Sequence, residues 1–105
     1  MKLLGVENLS NIVYDASKSV YVKALPLNDL LDMKSIKDEV NAGNIIILRI
    51  TPLAKKSIDD VKTAVSELCD FVKSINGDIA RLGEERIVIT PPLIKIWKKG
   101  HVESS

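Results

Sequence analysis

The sequence predicts a compact α/β domain: a mixed β-sheet of about five strands with two helices, in the order β-α-β-α-β-β-β. Three observations predict it. Residues 45–48 form an unbroken apolar run bounded by Asn44 and Pro52, the pattern of a buried strand. Residues 57–77 carry apolar side chains at alternating steps of three and four and end at Asn76-Gly77, an amphipathic helix with its stop signal. Three short β-like runs then follow, separated by glycine and proline, and strands and helices mixed in this order build a mixed sheet. At 105 residues and 46% apolar content, the chain suffices for one core that buries roughly 65% of its extended-chain surface.

The elements are justified in order. Residues 1–18 are an N-terminal segment read as a membrane-tethering helix or a linker. Val6, Leu9, Ile12 and Val13 share one side of a helical wheel, while Leu3 and Leu4 lie off it and Lys2 is the only lysine before Lys18. Residues 19–27 read as a first strand through Val20, Tyr21 and Val22, ending near Pro26, which cannot donate to a ladder. Asn28 and Asp29 cap a turn, a short helix begins at Ser35, and Gly43 is its left-handed stop. The strand at 44–50 is expected to be central and covered on both faces, and Pro52 closes it.

In the helix of residues 57–77, Ser57 is the cap and Asp59 and Asp60 favour the positive end of the dipole. Ile58, Val61, Val65, Leu68, Val72 and Ile75 form its stripe, widened by Ala64, Cys69 and Phe71. A stripe that wide exceeds what one sheet contact needs, so Val61, Val65, Leu68 and Val72 are expected to form a dimer or packing surface. Residues 78–82 and 86–90 flank Gly83-Glu84-Glu85 as a hairpin, and residues 93–97 read as a final, more exposed strand. A domain over 19–99 and a polar tail over 100–105 complete the organisation.

Fifteen Lys and Arg against fourteen Asp and Glu leave a net charge of +1, which argues against a protein that neutralises many phosphates along nucleic acid. The single cysteine excludes an intramolecular disulfide, and no basic leader precedes a long apolar run, so a cytoplasmic protein is expected. No catalytic residue is expected. His101 lies in the polar tail, and Cys69 adjoins Asp70, a negative charge where an activated thiol would need a positive one. No metal ligand set and no cofactor cradle appear, because Gly77 ends a helix where a phosphate loop would open one. Lys95, Lys98 and Lys99 around Trp97 are the one basic patch containing an aromatic. What remains is an interaction module rather than an enzyme, with Asp70, Glu84 and Glu85 as the carboxylates an enzyme reading would need.

Asp70-Phe71, Gly77-Asp78-Ile79, Gly83 and the run Ile87-Val88-Ile89-Thr90-Pro91 together resemble the SepF family of cell-division proteins, over residues 20–96. Only five residues separate Phe71 from Gly77, and Ile87 stands where bacterial members carry an aromatic. Both features resemble the archaeal form. The resemblance implies a homodimeric adaptor that binds the C-terminal peptide of FtsZ and is tethered by an N-terminal amphipathic helix. It would sit at the inner face of the membrane at the division site. It also implies peptide contacts from Arg81 and Ile87; because the helix end is shorter than in bacterial members, their helix-to-helix polymerisation is not carried over and a dimer is the expectation. The alternative is a ferredoxin-like regulatory domain that binds a small molecule, since the same element order builds such sensors.

Overall fold

The computed structural model describes residues 19–98; the segment 1–18 and the tail 100–105 lie outside the described residues. Strand β1 (Val22–Pro26) leads through a 3-10 turn (Leu30–Asp32) into helix α1 (Met33–Asn41). Strand β2 (Ile45–Arg49), helices α2 (Thr51–Lys56) and α3 (Ile58–Ile75), and the hairpin of β3 (Asp78–Leu82) and β4 (Arg86–Thr90) follow. The sheet order is β1-β2-β4-β3, with β1 parallel to β2 and β4 antiparallel to both of its neighbours. The mixed α/β class is as expected from the sequence. Four strands and three helices replace the expected five and two among the described residues.

The differences have physical causes. Pro52 does close β2, but it also sits in the first turn of α2, where its missing N–H costs nothing. The first helix starts at Met33 rather than Ser35, because Asp29 and Asp32 form a reciprocal capping box that nucleates the 3-10 turn ahead of it. Gly43, at φ 96°, is the expected left-handed stop of α1. The stop of α3 is Asn76, at φ 63°. Gly77 is needed for another reason: a Cβ there would lie 2.3 Å from the Thr90 carbonyl oxygen. Residues 93–97 do not pair as a strand: the chain turns at Pro92 and Leu93, the Ile94 amide donating to the Pro91 carbonyl at 3.3 Å, and continues as an unpaired strap beyond β4.

The sheet is covered by helices on one face. Ile46 and Leu48 of β2 and Ile87 and Ile89 of β4 are buried against Ile36 and Val40 of α1, Leu53 of α2, and Ala64, Leu68 and Val72 of α3. The expectation that β2 is covered on both faces is therefore corrected: Ile45 and Ile47 are only half-buried. On that second face Ala24, Ile47, Val88 and Ala80 stand in register across all four strands, and the three helices lie elsewhere. A buried Asn44 joins β1 to the layer beneath. Its side-chain oxygen accepts from the Tyr21 amide at 3.1 Å, and its Nδ2 donates to Glu39 at 3.1 Å, which also holds Lys23 of β1 at 2.8 Å.

The strap is pinned by Asp78, at the start of β3. Its carboxylate accepts from the Ile96 amide at 2.9 Å and from the Lys98 ammonium at 3.1 Å, while the Thr90 hydroxyl donates to the Ile94 carbonyl at 2.6 Å. Burial alone would raise the Asp78 pKa. The amides of Ile96 and Ile79 and the Lys98 charge outweigh it and hold the carboxyl below its ordinary value.

Two outcomes are expected. A group with a depressed folded pKa stabilises above its unfolded pKa, and that contribution disappears as pH falls through the folded value. Urea midpoints of the wild type and Asp78→Asn should therefore differ at neutral pH and converge in acid; a constant difference would refute the linkage. Gly77→Ala should cost about 1–3 kcal/mol in the same measurement, as forced overpacking against backbone does.

Candidate functional site

A groove of about 640 Å³ lies between the flank of α3 and edge strand β3. Its position follows from the period-two rule of strands. Ile87 points into the core, and Arg81 is its direct cross-strand partner, so Arg81 must project from the same helix-facing side, one strand further out. No helix covers it there, and Arg81 is exposed. Helix α3, capped by Ser57 through the Asp60 amide at 3.1 Å, supplies the opposite wall with Val61 and Val65.

Ile50, Ile79 and Ile87 complete an apolar floor, and Lys62, Arg81 and Glu84 line its margin. The closed end is built by backbone: the Ile50 amide donates to the Glu85 carbonyl at 2.9 Å, tying the end of β2 to the hairpin loop. The Arg81 guanidinium donates to the Gly83 carbonyl at 3.0 Å and the Glu84 carbonyl at 3.2 Å. Both acceptors are loop carbonyls, and Arg81 forms no carboxylate ion pair among the described residues. Its charge is thus oriented but not neutralised. Two cations and one acid beside an apolar floor suit a short segment that presents apolar and acidic side chains.

The structure brings Arg81 and Ile87 together, in one cross-strand pair at one groove. The four helix positions divide. Leu68 and Val72 are buried in the chain's own core, at 0% and 3% exposure, whereas Val61 and Val65 are half-buried and line the groove. Leu68 and Val72 therefore pack the monomer and offer no surface to a second copy. Sequence reasoning missed Ile50, Ile58, Lys62 and Glu84 as lining residues. The excess width of the α3 stripe was the available signal, since its flank is what borders the groove. Cys69 lies there too, half-buried. Among the described residues no group of His, Cys, Asp and Glu could hold a metal ion, and no helix is long and apolar enough to cross a membrane.

Comparison with known proteins agrees with this architecture. The family model described as "Cell division protein SepF" matches residues 22–96. A cell division protein SepF from Haloferax volcanii is 33% identical over 96 residues, covering 91% of this chain and 79% of its own. A solved SepF-like protein from Pyrococcus furiosus superposes with a TM-score of 0.70 at 32% identity, covering 76% of this chain and 96% of that one. The SepF of Methanobrevibacter smithii, solved in complex with FtsZ-CTD, shares the fold at a TM-score of 0.67 and 19% identity, over 75% of this chain and 99% of that one. The matched span contains β1 to β4, the groove and most of the strap, and on this evidence the chain belongs to the SepF family of cell division proteins.

Proposed function

We propose that this chain is a non-enzymatic cell-division adaptor that receives the C-terminal peptide of FtsZ in the groove between α3 and β3. The observation that carries the reading is Arg81 across from Ile87: an oriented, unneutralised guanidinium beside an apolar floor. The peptide's acidic groups would meet Arg81 and Lys62, and its apolar side chains would replace water over Val61, Val65 and Ile87. The Methanobrevibacter smithii relative, which shares the fold, was solved in complex with FtsZ-CTD, and this supports a peptide over a metabolite as the ligand.

The adaptor acts as a homodimer in this reading, and its tether to the inner face of the membrane at the division site is the segment 1–18. With Leu68 and Val72 in the core and Val61 and Val65 in the groove, the open sheet face is the apolar surface this reading assigns to self-association. Its row of Ala24, Ile47, Val88 and Ala80 suits a symmetric, self-complementary contact.

Titration of an FtsZ C-terminal peptide into the full chain should saturate, weaken with added salt, and weaken about tenfold or more with Arg81→Glu, since a charge-assisted hydrogen bond contributes ~1.5–3 kcal/mol. Absence of binding, or equal affinity of Arg81→Glu, would refute the groove assignment. Sedimentation equilibrium should give a dimer that Val88→Lys converts to monomer. A dimer indifferent to Val88→Lys would exclude the sheet face.

A further inference from the structure

The strap after β4 has two sides. Ile94 and Ile96 are half-buried, turned toward the domain, while Leu93 and Trp97 are 86% and 84% exposed with exposed Lys95 between them. Leu93 sits at the corner of a turn closed by the Ile94 amide on the Pro91 carbonyl at 3.3 Å, and residues 94–97 then alternate inward and outward, so the outward row is apolar-cationic-apolar where a solvated segment would be polar. Leu93 also holds φ at 76°, a backbone region disfavoured for a leucine. The row is not loose. Asp78 holds the Ile96 amide and Lys98, and Thr90 holds the Ile94 carbonyl, so the surface is ordered before anything docks on it.

The register fixes where the row lies. Val22 pairs with Ile45 and Asp78 with Thr90, so the strap, the first residues of β1 and the junction with residues 1–18 share one end of the sheet. Val20 and Tyr21, 49% and 55% exposed, lie at that end as well. The groove runs along β3 from Ile79 to the hairpin loop, and its Arg81 and Glu84 margin lies toward the other end. Trp and Tyr rings favour the headgroup level of a bilayer, and lysines beside them are attracted to anionic lipid.

We infer that this end of the folded domain is itself a bilayer-contact surface, on which Trp97 and Leu93 enter the headgroup region while Lys95 meets anionic lipid phosphates. The inference builds on the tethering part of the proposed function and adds a second contact to it. A single weak membrane signal gives marginal binding and two give stable attachment. With the strap seated, the Arg81 margin of the groove lies at the end of the sheet away from the bilayer.

Trp97 is the chain's only tryptophan, so its emission reports this contact directly, while flotation reports attachment by any route. The full chain is mixed with vesicles of phosphatidylcholine alone and of phosphatidylcholine with an equal part of phosphatidylglycerol. On the anionic vesicles Trp97 emission should move to shorter wavelength, lose its quenching by acrylamide and become quenched by brominated acyl chains. Leu93→Glu combined with Lys95→Glu, at two exposed positions, should abolish these changes. Flotation with unchanged Trp97 emission would overturn the inference and leave residues 1–18 as the whole tether. Emission already shielded in buffer, in proportion to protein concentration, would overturn it in favour of a second copy covering the strap. An equal shift on neutral vesicles would overturn the role of Lys95.

Discussion

The inward row of the two central strands, Ile46 and Leu48 on β2 and Ile87 and Ile89 on β4, is the constraint on which the other placements depend. All four are buried under the helices, and removing each side chain from water contributes about 1.5–3 kcal/mol. Slipping β4 by one residue would turn Ile87 and Ile89 outward and Val88 inward, so the register is strongly specified. Once it is set, the direction of every other strand residue follows. Arg81 is carried to the helix-facing side of edge strand β3 because Ile87 is there, and the flank of α3 beside that edge forms the other wall of the groove.

The same register gives the domain two chemically different ends. At one, the hairpin carbonyls orient Arg81 over an apolar floor. At the other, Asp78 gathers the strap, the start of β3 and Lys98 into one hydrogen-bonded junction.

The Gly77-Asp78 step illustrates how little chain performs this. Gly77 lets the α3 terminus approach the Thr90 backbone, and the next residue supplies the carboxylate that captures the strap. A residue with a Cβ at the first position would push the helix off β4, and an amide at the second would lose the charge that Lys98 answers.

Sequence patterning by itself determined the α/β class, the limits of β3 and β4, and the cap and length of the long helix; family resemblance pointed to Arg81 and Ile87, and the folded sheet makes them a cross-strand pair. The patterned features are local or period-based properties, carried by turn residues and by apolar spacing along a single segment. The rest was decided by tertiary structure. Whether Ile45 and Ile47 meet a second layer depends on where the helices pack, because a continuous apolar run reads the same with one face covered or two. Leu68 and Val65 look equivalent on a helical wheel, yet one fills the core and the other borders a groove, since the difference lies in the sheet edge opposite them. Residues 93–97 alternate well enough to suggest a strand, but the Asp78 carboxylate takes the Ile96 amide that a ladder would have needed. A residue eighteen positions away in the chain made that choice, which only the folded backbone brings within reach.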